Sequence, residues 1–92
     1  MLLYVVAYDI SCDKRRKKTS DLLEGYGQRV QYSVFECMLT TRKYNELRKR
    51  LKTNLNLDED RVRFYPLSGH TLEQVEVWGG PMVISIPGST II

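Results

Sequence analysis

The first third of the chain changes from a strand pattern to a helix pattern. Residues 2–8 are all apolar and rich in β-branched and aromatic side chains, which predicts a strand buried on both faces that ends at Asp9. Residues 14–26 place their apolar positions at helical spacing, with glycines at the end as a stop signal. Ser11 or Asp13 is expected to cap the start of this helix.

A second strand region, a second helix and a third strand region follow. Residues 29–34 alternate between polar and apolar side chains, with Tyr32 on the apolar side, and residues 35–39 then bring apolar residues to the opposite face. This predicts either one long strand or two strands separated by a break. Residues 44–55 have helical spacing with cations on the outer face, and residues 61–65 alternate again as a strand.

The last part of the chain predicts short strands. Pro66 is expected to end the preceding strand, and residues 67–70 to form a loop. Residues 75–78 and 82–86 are strand candidates separated by a Gly-Gly-Pro turn signal. The order of elements predicts an α+β fold: one ferredoxin-like split βαββαβ domain over residues 1–92, with extra short C-terminal strands.

The first strand also predicts a partner. In a ferredoxin-like domain the helices cover one face of the sheet only, whereas residues 2–8 are apolar on both faces. A second copy that presents the same face is the simplest cover, so we expect a homodimer with sheets packed face to face. A chain of 92 residues also buries a smaller fraction of its surface alone than a longer one does.

Charge favours a polyanionic partner. The formal net charge is +3 and the isoelectric point is about 9.0. All 14 lysines and arginines lie between residues 14 and 63, so this part of the chain is the candidate for phosphate contacts. The apolar and charged fractions are ordinary for a globular domain, which excludes disordered and collagen-like classes.

The cysteines and the first residues indicate the cellular compartment of the protein. Cys12 and Cys37 lie far apart without a CxxC motif or a Cys/His cluster, which argues against a zinc site and a disulfide framework. The apolar residues 2–7 are too few for a signal-peptide core or a membrane span. A cytoplasmic protein without membrane contact is expected.

Residues 14–18 are five consecutive cations at the start of the first predicted helix. Positive charge there opposes the helix dipole and costs about 0.3–1 kcal/mol for each mismatch at low salt, so a functional explanation is warranted. Free backbone amides at a helix start and cations together suit a nucleic-acid backbone. The candidates are Lys14, Arg15, Arg16 and Lys18, and the alternative is a solvated surface.

Asp9 is the candidate metal ligand. A carboxylate at the tip of a buried strand and close to the cationic run can be explained by a divalent cation between it and a phosphate. Mg²⁺ needs few carboxylates because it keeps water and borrows phosphate oxygens, so one Asp from each of two copies would be enough. The alternative is an ordinary turn residue.

Other residues give weaker signals. Arg29 lies on the polar side of the second strand region and is a second-rank candidate for phosphate contact. Tyr8 and Phe35 could stack on bases, although aromatic residues in strands are more often core. The roles of His70, the single imidazole, and of Cys12 stay open.

Three segments, residues 4–10, 13–16 and 27–36, resemble the CRISPR-associated Cas-two (Cas2) family. The resemblance continues less distinctly through residues 61–67 and 75–80. It implies a ferredoxin-like homodimer in which Asp9 of each chain holds a Mg²⁺ (or Mn²⁺) ion and which hydrolyses phosphodiester bonds of RNA or duplex DNA. By position it also implies basic site residues at Arg16 and Arg29, flanked by Tyr8 and Phe35.

The resemblance further implies a place in CRISPR spacer acquisition beside the integrase Cas-one (Cas1). It implies that the C-terminal strand and tail, residues 79–92, pair with the partner chain. Two alternatives stay open: a non-catalytic DNA-binding scaffold of the integrase complex, and an RNA interferase toxin like VapD.

Overall fold

The computed structural model describes residues 1–80, which form four strands and three helices. In chain order these are β1 (Leu2–Asp9), α1 (Asp13–Glu24), β2 (Gln28–Gln31), β3 (Val34–Leu39), α2 (Thr41–Asn54), β4 (Arg61–Leu67) and α3 (Gly69–Leu72). The sheet order is β2-β3-β1-β4, and all neighbouring strands are antiparallel. The predicted α+β, ferredoxin-like fold is confirmed. None of the helices in this part of the chain could span a membrane.

The hydrophobic core lies between the sheet and the helices α1 and α2. Alternate residues of β1 point into it, and the paired residues of β3 join them across the sheet. Its members from the two central strands and the two helices are Tyr4, Val6, Tyr8, Phe35, Cys37, Leu39, Leu23, Leu47 and Leu51.

The opposite face of the sheet is only partly covered. Leu72 of α3 packs on Leu3, Met38 and Leu67, which form a small second cluster at one end of this face. Along the rest of it, the other odd-numbered residues of β1 stay half-buried or exposed. We call this surface the open face.

The second strand region is two strands. β2 and β3 form a hairpin whose turn contains Tyr32 and Ser33, and the register shifts between Arg29 and Gln31. The Tyr8 N–H donates to the Ser33 carbonyl at 3.1 Å, which ties the turn to β1. Of the two arrangements that the pattern left open, the hairpin is the one that forms.

The cap of α1 differs from the prediction. Cys12 occupies the N-cap position and no side chain accepts a cap hydrogen bond, so neither Ser11 nor Asp13 caps the helix. Asp13 lies inside the first turn, where its carboxylate pairs with Arg16 instead.

The C-terminal elements also differ from the prediction. β4 continues through Pro66 to Leu67, which is tolerated because β4 is an edge strand of the sheet. The predicted loop 67–70 contains the start of α3, which Ser68 caps by accepting from the Thr71 N–H at 3.2 Å.

The predicted strand at residues 75–78 is wrong. These residues are exposed and irregular, and within residues 1–80 their backbone pairs with no strand. A strand forms only where a neighbouring strand pairs with its N–H and C=O groups, and within residues 1–80 this segment has no such neighbour. The predicted strand at 82–86 and most of the 79–92 segment lie outside the described residues.

Candidate nucleic-acid and metal site

Asp9 lies exposed at the end of β1, on the open face, beside Arg61 of β4. The alternation of β1 explains this position: Tyr8 turns into the core, so Asp9 turns to the other side. Next to it is an open cleft of about 380 Å³. Seven residues line this Asp9 cleft: Tyr8, Asp9, Ile10, Ser11, Arg16, Tyr32 and Ser33.

Arg16 fixes the loop that follows Asp9. Its guanidinium donates to the carbonyl of Ile10 at 2.9 Å and to that of Ser11 at 3.4 Å, and it pairs with Asp13. The hydrogen bond with Asp13 raises the pKa of Arg16, and the nearby Tyr32 hydroxyl adds to the effect. Arg16 is therefore a permanent cation within the cleft, with a structural role as well.

Arg15, the neighbouring arginine, is bound to carboxylates. Its Nε lies 2.8 Å from Asp60 Oδ2 and its Nη2 lies 2.8 Å from Glu59 Oε2. The Asp60 side chain is fully buried and also accepts from the Asn56 N–H at 2.9 Å. These bonds join α1 to the α2–β4 loop, a structural role that the sequence pattern did not indicate.

Lys14 and Lys18 project into solvent at the same end of α1. Among residues 1–80, neither has a carboxylate within ion-pair distance, whereas Lys17 pairs with Asp21 at 3.1 Å. Their charge is therefore available to a ligand.

Arg29 braces the hairpin turn. Its guanidinium donates to the Tyr32 carbonyl and the Ser20 hydroxyl, and it lies 4.9 Å from the centre of the Phe35 ring. Glu24 is 3.6 Å away. Arg29 thus holds the side of the Asp9 cleft in place, and its predicted contact with phosphate stays a prediction.

Tyr8 and Phe35 support the site from beneath. Their rings lie 6.3 Å apart, and both side chains are buried in the core. The aromatic residue exposed at the cleft is Tyr32, with 76% of its surface accessible. The strand pattern assigns Tyr32 to the apolar side, whereas its position in a two-residue hairpin turn leaves it exposed.

Residues 1–80 of one chain do not supply a full metal site. The described residues contain no group of three or more His, Cys, Asp or Glu side chains that could hold an ion. Asp13 is paired with Arg16, and the carbonyls of Ile10 and Ser11 accept from Arg16, which leaves the Asp9 carboxylate. These donors fit a Mg²⁺-type ion shared between two copies, because such an ion takes one or two carboxylates and keeps its water.

The remaining candidates, His70 and Cys12, do not line the Asp9 cleft. His70 is exposed in α3, with a ring nitrogen 3.3 Å from the Gln74 amide nitrogen. Cys12 is half-buried at the start of α1. Cys37 is a core residue. Burial raises the pKa of its thiol to about 11, so it is not a nucleophile.

Comparison with known sequences decides the family. The profile of the family described as CRISPR associated protein Cas2 matches residues 1–75. This chain belongs to the Cas2 family. A Synechocystis protein named CRISPR-associated endoribonuclease Cas2 3 is 64% identical to it over 92 residues, with both chains covered completely. A Thermus thermophilus protein named CRISPR-associated endonuclease Cas2 2 is 52% identical over 81 residues, covering 87% of this chain and 86% of that one.

Solved Cas2 structures have the same fold. The crystal structure of Streptococcus pyogenes Cas2 at pH 6.5 has a TM-score of 0.73 and 34% identity, covering 84% of this chain and 99% of that one. A chain of the partial Cas6-RT-Cas1–Cas2 complex has a TM-score of 0.79 and 31% identity, with both chains covered completely. The resemblance inferred from the sequence is confirmed.

Proposed function

We propose that this Cas2 protein is a metal-dependent endonuclease that cleaves phosphodiester bonds of RNA or duplex DNA as a homodimer. The observation that carries the proposal is the exposed Asp9 carboxylate at the rim of a cleft that also contains the Arg16 guanidinium. The names of the relatives, endoribonuclease and endonuclease, support the same activity.

The homodimer follows from the open face. Val5, Ala7 and Val34 lie on it at adjacent register positions and are only half-buried in one chain. A second copy that packs the same face against this one buries them and brings the two Asp9 carboxylates to one interface. The C-terminal segment 79–92 is proposed to pair with the partner chain.

Asp9 of each copy is proposed as a ligand of one shared Mg²⁺ or Mn²⁺. When bound, this ion supplies Lewis-acid stabilisation of phosphate charge and an activated water. The Asp9 carboxylate would hold the ion, and the guanidinium of Arg16 keeps the loop after Asp9 in position. A site ordered before substrate arrives needs little reorganisation during the reaction.

The cations are proposed to hold the phosphate backbone. Lys14 and Lys18 contribute charge and counterion release, while Arg16 and Arg29 lie closer to the cleft. Arg15 contributes mainly by anchoring α1, since two carboxylates occupy its guanidinium. Backbone contacts of this kind carry little sequence information.

The proposed setting is CRISPR spacer acquisition in the cytoplasm, with Cas1 as the partner. It is supported by the structural similarity to a chain of a Cas1–Cas2 complex. A second function, a DNA-binding scaffold without catalysis, is favoured by one observation: the described part of a chain offers a single carboxylate at the cleft.

The test compares wild type with Asp9→Asn on labelled single-stranded RNA and duplex DNA, in Mg²⁺ and in EDTA. We expect wild type to cleave in Mg²⁺ only. The variant should cleave at least about 100-fold more slowly, which is a larger loss than replacing a residue that only supports a metal ligand would cause. Asp58→Asn, which removes an exposed carboxylate outside the cleft, should cleave like wild type.

Binding of the same nucleic acids is measured in EDTA on the same samples. If Asp9→Asn cleaves as fast as wild type, Asp9 is not catalytic. If neither protein cleaves and both bind duplex DNA in a salt-sensitive way, the scaffold function replaces the nuclease.

A further inference from the structure

We propose that Tyr32 is the base-stacking residue of the Asp9 cleft, and that it holds an unpaired nucleobase of a single-stranded RNA or DNA next to the phosphate bound there. This inference rests on the proposed function, because it takes the cleft to be a nucleic-acid site. It goes further by naming the feature of the substrate that the cleft recognises, which is an unpaired nucleobase.

Tyr32 is more exposed than the aromatic residues of the four strands, of which Tyr65 of β4 is 45% exposed. Tyr4, Tyr8 and Phe35 are buried, and Tyr44 stacks on Tyr4 with 4.0 Å between ring centres. The Tyr32 side chain, by contrast, is 76% exposed, so packing within one chain does not explain it. An exposed ring at a charged cleft offers a stacking platform, because every base has a π face.

The backbone that carries Tyr32 is held in place. Its carbonyl accepts from Arg29, which also bonds Ser20 and lies over the Phe35 ring. The next residue, Ser33, accepts from the Tyr8 N–H of the central strand. The ring therefore projects from a fixed turn, and a ligand that stacks on it pays little entropy for ordering the protein.

The surroundings of the ring match one nucleotide. Tyr32 lines the cleft together with Arg16 and Asp9, so that an aromatic face, a permanent cation and a carboxylate share about 380 Å³. A cation holds a phosphate, a carboxylate holds a bridging metal, and the ring takes the base attached to that phosphate. Bases within a duplex are already stacked on both faces, so the ring selects a single strand or an unpaired end.

The test uses single-stranded RNA and DNA oligonucleotides that carry the fluorescent base 2-aminopurine, with EDTA present to prevent cleavage. For Tyr32→Leu we expect an affinity loss on the order of tenfold and loss of the fluorescence quenching that stacking produces. Tyr32→Phe keeps the ring and should retain both. Binding of blunt duplex DNA should be equal in all three proteins.

The control variant is Tyr26→Leu, which removes a half-buried tyrosine outside the cleft. It should bind and quench like wild type, and melting curves of every variant verify folding. If RNA binding responds to Tyr32→Leu and DNA binding does not, the unpaired base belongs to RNA; the reverse assigns it to DNA.

Two results would overturn the inference, and they have different consequences for the nuclease proposal. If wild type binds the oligonucleotides but Tyr32→Leu binds and quenches equally well, the stacking role is wrong and the nuclease proposal stands. If wild type binds no nucleic acid in a salt-sensitive way, both proposals fail together.

Discussion

Arg15 and Arg16 are adjacent cations with different roles, and their partners decide the difference. Arg15 reaches across to Asp60 and Glu59, whereas Arg16 turns to the loop after Asp9. Their position in a cationic run was visible in the sequence. The partner of Arg15 was not, because Asp60 is 45 positions away and only folding brings the two together.

Lys14 and Lys18 carry the first prediction at this scale. Lys14→Gln and Lys18→Gln should each reduce the slope of log K against log salt for single-stranded RNA by about 0.7, because each lysine releases counterions when it contacts phosphate. Lys43→Gln makes the same change of charge at the start of α2, at the other end of the helical layer, and should leave the slope as it is. Equal slopes in all variants would exclude the two lysines from the interface.

Asp60 carries the second prediction, which concerns pH. The Arg15 hydrogen bonds lower the pKa of Asp60 below its ordinary value of 3.8, so its stabilising effect is present above about pH 4 and is lost as the pH falls through the lowered pKa. Asp60→Asn should therefore melt roughly 5 °C or more below wild type at pH 7. The difference should narrow as the pH drops below 3.8.

Thermal melting at a series of pH values checks this. Asp58→Asn, at an exposed position in the same loop, should match wild type throughout. A difference between Asp60→Asn and wild type that stays constant down to low pH would show that the Asp60 ion pair is not its source.

Asp9 and Tyr32 show how far single residues can be predicted. Asp9 was predicted from the sequence because a polar residue that ends an apolar strand lies at the end of the sheet, whichever face its side chain is on. Tyr32 was assigned to the apolar side, because the alternation of residues 29–34 continues past the point at which the chain turns. The alternation of polar and apolar residues does not by itself reveal a hairpin where no strong turn signal is present.

At the scale of elements, the connection from α1 to β2 depends on a close approach. A Cβ atom on Gly27 would lie 2.2 Å from the Glu36 carbonyl oxygen and 2.5 Å from Cys37 Sγ. The Glu36 carbonyl oxygen and Cys37 Cα, which would be 2.8 Å away, are β3 backbone atoms that cannot move independently of the sheet. A glycine at position 27 thus lets the hairpin lie against the end of α1.

Gly27→Ala should therefore destabilise the protein by about 1–3 kcal/mol, the usual cost of overpacking a tight site. Gly25→Ala is the matched control: its nearest contact is the Leu22 carbonyl at 3.4 Å and its φ of −77° suits any residue. Urea unfolding of both variants provides the comparison. Equal midpoints for the two variants would refute the close-approach argument.

The main elements were predictable and the short ones were not. β1 follows from a continuous apolar run, and α1, α2 and β4 follow from apolar periodicity that is long enough to distinguish strand from helix. The predicted strand at 75–78 failed because alternation alone does not provide a pairing partner. α3 was missed because its four residues are too few to show a period.

At the scale of the whole molecule, the open face predicts self-association. Val5 lies in the middle of this face, between Glu36 and Tyr65 on the neighbouring strands. Val5→Asp should convert the homodimer to a monomer in sedimentation experiments, because burial of an unpaired carboxylate is costly. Leu57→Asp, at an exposed apolar position of the α2–β4 loop, should remain dimeric. A dimeric Val5→Asp protein would place the interface elsewhere.

We propose that one catalytic site needs Asp9 from both protomers. It is tested by purifying a heterodimer of differently tagged wild-type and Asp9→Asn chains and measuring its Mg²⁺-dependent cleavage of single-stranded RNA. A shared ion held by two carboxylates predicts that one lost ligand disables the site, so the heterodimer should be nearly as inactive as the doubly substituted protein. About half of the wild-type activity would instead show that each chain cleaves on its own and would contradict the shared site.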